Sequence, residues 1–346
     1  MTSDVNRQWL LERRPKGVVS AADFRWIEAP VPTLNDGEVL VRNLFLSCDP
    51  TQRSWMAGKT YMPAVKIGEV MRSFSAGEVH TSRNPAFARG ELVYGMCGWQ
   101  DYGVARPDDL FPVRKIPKGV SMEDALGVFG LTGLTAYFGL IAVGGVKAGD
   151  TVVVSGAAGA TGSVVGQIAK TFGCNVVGIA GGAEKCAYLT GELGYDAAID
   201  YKVDNVMTRL RETCPKGINV FFDNVGGRIL DAALMHLALH ARVVICGSIS
   251  GYNDETPPDG PRNYMQLVVR RSRMEGFLMT DFNARIPEAL SALAGWVREG
   301  RIKHRSDVID GLENAPAALA RLFSGENRGK QLVRIASPSQ ATGSAA

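Results

Sequence analysis

The chain has 346 residues and a formal net charge of +3, from 38 lysines and arginines against 35 aspartates and glutamates. That length predicts about two domains, and 46% apolar with 21% charged residues is typical of a globular protein. The basic residues are scattered apart from Arg270, Arg271 and Arg273, no segment approaches the roughly 20 apolar residues of a membrane helix, and the amino terminus lacks an apolar signal core. We therefore expect no nucleic-acid partner, no membrane partner and a cytoplasmic location.

The amino-terminal third shows short β-type runs separated by Pro, Gly and Asp, at residues 38–43, 70–74, 91–95 and 102–105. This spacing predicts a compact β-rich domain with functional loops. From Ser121 the pattern changes to two apolar helical segments, which we expect to be hinged at Gly130 and Gly133.

Residues 151–178 read TVVVSGAAGATGSVVGQIAKTFGCNVVG, which predicts a strand, a glycine loop, an amphipathic helix and a second strand. Gly156, Gly159 and Gly162 allow a sharp turn and a close approach of a pyrophosphate to the amino terminus of the helix. The spacing is GxxGxxG rather than GxGxxG, with Ala157 where a glycine is usual. The pattern favours a dinucleotide site, and the alternative is an ordinary tight turn between strand and helix.

The residues after the second strand indicate which dinucleotide is bound. Gly181 and Gly182 leave room for a ribose phosphate at the strand tip, and Lys185 is close enough to pair with it, which favours NADP. Glu184 offers the alternative of an acidic ribose ligand, although an acid in the first turn of a helix is also ordinary. Lys185 has the alternative of a solvated helix charge.

The pattern continues with strands at 197–200, 218–223 and 242–246 and helices at 203–213 and 227–237. This alternation predicts an α/β fold with a doubly wound parallel sheet, whose ligands bind at the carboxyl ends of the strands. The loops at 223–227 and 247–252 then lie on the cofactor side. Helices are predicted at 286–300 and 315–324, and the isolated strand at 330–335 could return to the amino-terminal β domain.

Several segments together resemble the zinc-independent medium-chain reductases, and within them the prostaglandin reductase and alkenal double-bond reductase group. The motifs are CDPTQRSWM (48–56), YGMCGWQDYGV (94–104), GLTGLTAYFGL (130–140), VSGAAGATGSVVGQIAK (154–170), FDNVGG (222–227), ICGSISGYN (245–253) and GENRGK (325–330). One stretch departs from the group, because GMPGLTAY is usual where this chain has Gly130, Leu131, Thr132 and Gly133. That stretch flanks the expected cleft and leaves the preferred substrate open.

The resemblance implies a GroES-like domain of residues 1–125 completed by 310–346, a Rossmann domain of residues 126–309, and a cleft where they join. It also implies NADP(H), a homodimer, and reduction of the carbon–carbon double bond of small-molecule α,β-unsaturated aldehydes or ketones. An NADPH quinone reductase is the alternative enzyme. A non-catalytic nucleotide-binding protein of the same fold, like a lens crystallin, is the alternative from another class.

Metal chemistry is not expected. Zinc-dependent relatives place a GHE tripeptide after a first cysteine ligand, but the segment after Cys48 reads Lys66, Ile67, Gly68, Glu69. The four histidines, at 80, 236, 240 and 304, match no ligand spacing, and a lone i, i+4 pair at His236 and His240 is weak evidence. The six cysteines form no CxxC motif, which indicates reduced thiols.

Conjugate reduction needs a donor to the carbonyl oxygen, and a tyrosine supplies one without carrying charge. Tyr252 matches the tyrosine of the group's ISxY motif and is the first candidate, with stacking on the ribose or closing its loop as alternatives. Tyr61, in KTYMP, is the second candidate, with an aromatic plug as the alternative. Trp55, Met56 and Trp99 would supply apolar walls, or could simply be core.

The resemblance assigns Lys185 and Tyr201 to the adenine-ribose phosphate, Asn224 and Ser248 to the middle of the cofactor, and Asn327 to the nicotinamide or pyrophosphate. A buried aromatic is the alternative for Tyr201, and ordinary turn chemistry is the alternative for Asn327. The full set of predicted cofactor residues is Gly159, Ala160, Thr161, Gly162, Lys185, Tyr201, Asn224, Cys246, Ser248, Tyr252 and Asn327.

Overall fold

A computed structural model describes residues 5–58, 60–106, 108–256 and 259–338. These residues divide into two compact units. The first draws on the described parts of Met1–Leu126, Ser306–Glu326 and Gln331–Ala346, and the second consists of those in Gly127–Arg305 and Asn327–Lys330.

The amino-terminal part of the first unit is mostly antiparallel β-structure. Its elements are β1 (Val5–Leu11), β2 (Phe24–Pro30), β3 (Val39–Ser47), α1 (Thr51–Ala57), β4 (Ser75–Ser82), β5 (Leu92–Gly95), β6 (Tyr102–Ala105), β7 (Arg114–Lys115) and α2 (Met122–Leu126). β1 pairs with β2, and β3 pairs with both β4 and β6. Val41 of β3 lies opposite Val79 of β4, and both side chains are buried in the same apolar cluster.

The predicted strand at 70–74 is wrong, because β4 begins only at Ser75. Val70 forms an isolated bridge with Leu10, and the Met71 amide donates to the Trp9 carbonyl oxygen at 2.9 Å. The apolar character of this segment reflects burial, since Met71 is fully buried, and not pairing in a ladder.

The second unit contains α3 (Leu131–Phe138), β8 (Thr151–Ser155), α4 (Ala160–Thr171), β9 (Asn175–Ala180), α5 (Ala183–Gly191), β10 (Ala197–Asp200), α6 (Val206–Thr213), β11 (Ile218–Asp223), α7 (Gly227–Met235), β12 (Leu237–Ile245), α8 (Gln266–Arg270), β13 (Arg273–Gly276) and α9 (Ile286–Arg298). Its strands pair in parallel in the order β10-β9-β8-β11-β12-β13. The prediction of a doubly wound parallel sheet is confirmed.

Helices cover both faces of this sheet, as the alternation of buried side chains in β8 illustrates. Val152 and Val154 belong to a core cluster that includes residues of α3, α4 and α9. Val153, between them, belongs to a second cluster with residues of α6 and α7. Because successive side chains of a strand point to opposite faces, a fully apolar strand needs such cover on both sides.

Two predicted boundaries differ from the structure. α7 ends at Met235 and β12 already begins at Leu237, which lies opposite Ile218 of β11. His236 therefore caps a helix while His240 lies in a strand with φ of 60°, so the two histidines do not share a helix face.

The hinge in the first apolar helical region is also different from the prediction. Gly130 does lie at the break, as the residue before α3, but Gly133 is inside that helix. A Cβ atom added at Gly133 would lie 1.8 Å from the Val128 carbonyl oxygen, so this glycine permits a close approach of two backbone segments.

The carboxyl-terminal segment adds β14 (Ser306–Asp310), α10 (Ala315–Ser324) and β15 (Lys330–Arg334). β15 pairs antiparallel with β3, with Leu332 opposite Ser47. The last strand therefore joins the amino-terminal sheet, as predicted. Within the described ranges, no helix has both the length and the apolar character needed to cross a bilayer.

Candidate functional site

Most predicted site residues lie just beyond the carboxyl ends of consecutive parallel strands in the second unit. The glycine loop follows β8, Lys185 follows β9 and Tyr201 follows β10, while Asn224 follows β11 and Tyr252 comes after β12. Since β8 is central, with β9 and β10 on one side and β11 and β12 on the other, the strand order reverses at the glycine loop. Such a switch point is where open α/β sheets bind ligands.

The glycine loop has the backbone geometry that a phosphate site needs. Gly156 has φ of +58°, which favours glycine, and Gly159 is the residue immediately before α4. A Cβ atom at Gly162 would lie 2.4 Å from the Gly156 carbonyl oxygen. The loop is thus folded tightly onto the first turn of α4, where the amides of Ala160 and Thr161 have no intrahelical acceptor.

A buried tyrosine that the sequence reasoning missed holds this turn in place. The Tyr195 hydroxyl donates to the Gly162 carbonyl oxygen at 2.7 Å. A Cβ atom at Gly166 would lie 2.0 Å from the Tyr195 ring, so only glycine fits there. Burial raises the pKa of Tyr195, which keeps the hydroxyl protonated as a donor. The repeated glycine four residues after Gly162 is the sequence signal for this close approach.

Tyr201 lies over the tip of β9, where the sequence places two glycines. A Cβ atom at Gly181 would lie 2.9 Å from the Tyr201 ring, which is itself 46% exposed. The alternative of a buried aromatic therefore does not hold. Asp200, another residue not predicted, accepts from the Gly182 amide at 2.8 Å and from the Lys202 amide at 3.0 Å. Its carboxylate thereby joins the tips of β9 and β10.

Lys185 occupies the first turn of α5 in a strongly cationic environment. Its pKa is lowered by burial and then by the positive charges of Lys202, Arg305 and Arg328. Clustered cations in a partly buried position are the environment expected of an anion-binding site. Glu184 is the neighbouring residue that was an alternative ligand of the ribose. It forms an ion pair with Arg328 at 2.7 Å.

On the other side of the glycine loop, the buried pair of Ser155 and Asp223 organises the loop after β11. The Ser155 hydroxyl donates to Asp223 Oδ1 at 2.6 Å, and the Gly226 amide donates to both oxygens of the same carboxylate at 3.1 Å. Burial raises the pKa of Asp223. The sequence predicted Asp223 only as the end of a strand. Ser155 and Asp223 are polar residues at the ends of two otherwise apolar strands, and this was the available sequence signal for their contact.

Asn224 is fixed by the same pair of strands. Its amide donates to the Ser155 hydroxyl at 2.8 Å, and its Nδ2 donates to the Ser155 carbonyl oxygen at 2.7 Å. Both contacts bridge β8 and β11, so Asn224 lies directly beside the glycine loop. Its Oδ1 is the atom of this side chain that remains to accept from a ligand.

The loop after β12 carries Cys246, Ser248 and Tyr252. The Cys246 amide donates to the Asp223 carbonyl oxygen at 2.9 Å, and burial raises the pKa of its thiol to about 12. The loop continues through a short 3₁₀ turn, Ile249–Gly251, after which the Tyr252 hydroxyl accepts from the Ser248 amide at 3.2 Å. This contact bends the phenol back over its own loop.

Asn327 lies in the segment before β15 and is buried. Its Nδ2 donates to the Gly329 carbonyl oxygen at 2.9 Å, and Gly329 forms a backbone bridge with Gly159. The turn chemistry foreseen as an alternative is therefore present, and it also places this segment against the glycine loop.

Tyr61 lies in the first unit, in the loop after α1. Its hydroxyl accepts from Trp55 Nε1 at 3.1 Å and lies 3.0 Å from the Thr51 hydroxyl. The ring is 43% exposed, and desolvation raises the pKa of the phenol. Trp55 and Met56, expected as apolar walls, are fully buried within this unit, as is Trp99, so all three belong to its core.

In the described parts of the chain, no three His, Cys, Asp or Glu side chains come together as metal ligands would. None of the six cysteines, all of which lie within the described ranges, forms a disulfide.

Two family models match the chain. One, described as the N-terminal domain of oxidoreductase, matches residues 7–113, and the other, described as a zinc-binding dehydrogenase, matches residues 160–295.

Individual proteins match almost the whole length. The chain is 41% identical to NADPH-dependent curcumin reductase of Escherichia coli (strain K12), over 96% of this chain and 97% of that protein. It is 39% identical to 2-alkenal reductase (NADP(+)-dependent) of Nicotiana tabacum, over 95% and 97%. Among solved structures, CurA from Vibrio vulnificus in complex with NADPH aligns with a TM-score of 0.90 and 40% identity, over 96% of this chain and all of that one.

Proposed function

Because the chain belongs to the medium-chain dehydrogenase/reductase family, in the group of alkenal and prostaglandin reductases, we propose that it reduces the carbon–carbon double bond of α,β-unsaturated aldehydes or ketones with NADPH. The observation that carries this conclusion is the match over 95–96% of the chain to reductases named for NADPH or NADP and for curcumin or 2-alkenals. The first unit is the substrate domain and the second unit is the NADP(H) domain.

The second unit has the features that an NADP(H) molecule requires. Gly156, Gly159 and Gly162 allow the loop to fold tightly onto the first turn of α4, whose amides would bind a pyrophosphate. Lys185 and Tyr201 would hold the adenine-ribose phosphate. Ala160, Thr161, Asn224, Cys246, Ser248 and Asn327 would complete the site along the strand ends.

Bound NADPH supplies a hydride, which is added to the β-carbon of the substrate. The residues of the chain must then stabilise the negative charge that develops on the carbonyl oxygen before the α-carbon takes a proton. A positioned neutral donor is suited to this because it interacts more strongly with the enolate than with the carbonyl.

Tyr252 is the proposed donor. Its hydroxyl oxygen already accepts from the Ser248 amide, and this polarises the phenol and fixes its position. Tyr61 is the proposed second tyrosine, from the substrate domain. Its raised pKa keeps the phenol protonated, and its contacts with Trp55 and Thr51 fix the hydroxyl.

We also propose that the reaction is independent of zinc. Cys48 is buried, and the segment after it contains Glu69 but no histidine. Polarisation of the carbonyl is then left to the tyrosines. We also propose a cytoplasmic location, with which six cysteines that form no disulfide are consistent.

The chain is proposed to form a homodimer through β13. This strand is at the edge of the parallel sheet and is exposed along its length. In an antiparallel pairing of two copies centred on Met274, Arg273 of one copy would oppose Glu275 of the other. Exposed apolar side chains next to this edge, at 54–66% exposure, add area to bury: Tyr264, Met265, Val268 and Val269.

Light scattering should give twice the chain mass, and Met274→Pro should give a monomer, because proline removes a strand donor.

The catalytic proposal is tested by mixing the purified protein with NADPH and a panel of enals, enones and quinones while following the loss of NADPH absorbance. Turnover of enals and enones to products saturated at the former double bond is expected. Turnover of quinones alone would establish the quinone reductase alternative, and NADPH binding without any turnover would establish the non-catalytic one.

A further inference from the structure

Two adjacent residues with opposite charges begin α5, at the place proposed for the 2′-phosphate of NADP(H). Glu184 and Lys185 are the second and third residues of this helix. Arg328, 144 residues away in sequence, donates from Nη2 to Glu184 Oε2 at 2.7 Å. The two side chains of this ion pair are 60% and 63% exposed.

The charges that act on Lys185 beside this pair are mainly positive, and the Asp200 carboxylate, which accepts from the Gly182 amide at 2.8 Å, is a nearby acid. The guanidinium carbon of Arg305 lies 3.7 Å from the centre of the Tyr188 ring, a stacking contact that fixes its charge beside α5. Arg305, Arg328 and Lys202 all act on Lys185. Glu184 is the acid that acts on Lys185 within the same group, so the cluster has an excess of positive charge suited to a dianion.

Without Arg328, Glu184 would oppose the preference for NADPH over NADH in two ways. A carboxylate beyond the second strand accepts hydrogen bonds from ribose hydroxyls, which is how NAD-specific sites recognise their cofactor. The same carboxylate would repel a 2′-phosphate, which carries a charge of about −1.5 to −2. The ion pair with Arg328 compensates the charge and holds the carboxylate at the guanidinium.

We propose that Arg328 is a positioning residue that sets the preference for NADPH over NADH by holding the Glu184 carboxylate in this ion pair. The inference rests on the proposed location of the 2′-phosphate beside Lys185. Arg328 therefore acts through Glu184, and removing both partners should restore what removing Arg328 alone destroys.

The test compares adenosine 2′,5′-bisphosphate with 5′-AMP by calorimetry, because the two ligands differ only in the 2′-phosphate. In Arg328→Leu, the ratio of their affinities should fall by about tenfold, and the NADPH/NADH ratio of kcat/KM should fall in parallel. Glu184→Gln combined with Arg328→Leu should recover the ratio to within about twofold, and Arg328→Lys should retain most of it. The loss should be smaller at high ionic strength.

A matched control is Arg209→Leu, which breaks the ion pair with Glu212 (2.5 Å) in α6, where the side chains are 40% and 49% exposed. The affinity ratio should not change in this variant. An equal loss there would mean a general charge effect and would overturn the role of Arg328.

Three further outcomes would also overturn it. If Arg328→Leu and the double variant lose the ratio equally, Arg328 acts by its own charge on the phosphate. If Arg328→Leu keeps the ratio while Lys185→Ala lowers it, the phosphate site is right and the role of Arg328 is wrong. If Lys185→Ala itself keeps the ratio, the phosphate does not lie beside Lys185, and both proposals fail.

Discussion

The two units of this molecule carry their candidate functional residues in different ways. In the second unit, Lys185, Tyr201, Asn224 and Tyr252 each follow a strand of one parallel sheet, so the strand that each residue follows gives its place along one edge of that sheet. In the first unit, Tyr61 lies in a loop after a short helix, and side-chain contacts with Trp55 and Thr51 hold it. Parallel α/β topology therefore allows the position of candidate residues at the strand ends to be predicted from sequence, which an antiparallel β unit does not.

The largest expected effect is a loss of kcat, and it is tested by removing the hydroxyl of one tyrosine from each unit. Tyr252→Phe should lower kcat about 100- to 1,000-fold, the usual cost of removing one donor to a developing oxyanion, with little change in NADPH affinity. Tyr61→Phe should have a smaller effect on kcat, because the Tyr61 hydroxyl also contacts Thr51 and Trp55 of its own unit. Steady-state kinetics with one enone substrate and fluorescence titration of NADPH measure both. Unchanged turnover in Tyr252→Phe would remove it as the donor, and a larger loss in Tyr61→Phe would reverse the ranking of the units.

The next effect concerns the phosphate end of the second unit. Lys185→Ala should raise KM for NADPH about 10- to 100-fold and KM for NADH far less, because the proposed role of its charge is to bind the 2′-phosphate, which NADH lacks. Lys216→Ala is the control, since this exposed lysine precedes β11 at the opposite end of the strands. Equal effects of Lys185→Ala on both cofactors would take Lys185 out of the phosphate site.

A smaller effect is expected on stability, from the buried contact that joins the strand ends. Ser155→Ala leaves the Asp223 carboxylate without its hydroxyl donor and should lower the free energy of unfolding by about 1–3 kcal/mol. Ser163→Ala, whose hydroxyl makes only a 3.4 Å contact with Ala160, should change it by less than about 0.5 kcal/mol. Urea denaturation measures both free energies of unfolding. Equal losses in the two variants would show that the Ser155–Asp223 contact does not stabilise the protein more than the Ser163 contact does.

The two units should differ least in the reactivity of their buried thiols, which is expected to be low in both. Burial raises the pKa of Cys97 in the first unit and of Cys174 in the second to about 11, and that of Cys246 to about 12. At pH 8 the reactive thiolate should be about 0.1% or less of each thiol, and alkylation should accelerate with rising pH up to the pKa. Mass spectrometry after iodoacetamide treatment tests this, and complete labelling of Cys246 at pH 8 in the folded protein would contradict it.

The sequence predicted the parallel sheet, the glycine loop, the NADP(H) cofactor and the double-bond reductase group, and these are confirmed. It failed at residues 70–74, where an apolar run indicated burial but not pairing. It also failed at Gly133, where a glycine that looked like a hinge instead allows close backbone packing. The roles of the individual site residues and the domain boundaries stay predictions.

What the sequence determined by itself depends on contacts between residues a few positions apart, such as strand alternation, helix periodicity and the glycine turn between β8 and α4. The tertiary structure decided the contacts between distant residues: Tyr195 with Gly162, 33 positions apart, Ser155 with Asp223, 68 apart, and Glu184 with Arg328, 144 apart. Each of these pairs is ordinary in composition. Only the folded backbone brings their polar atoms within hydrogen-bonding distance, so local signals such as the repeated glycine or the polar strand ends could mark single residues but not the pairing.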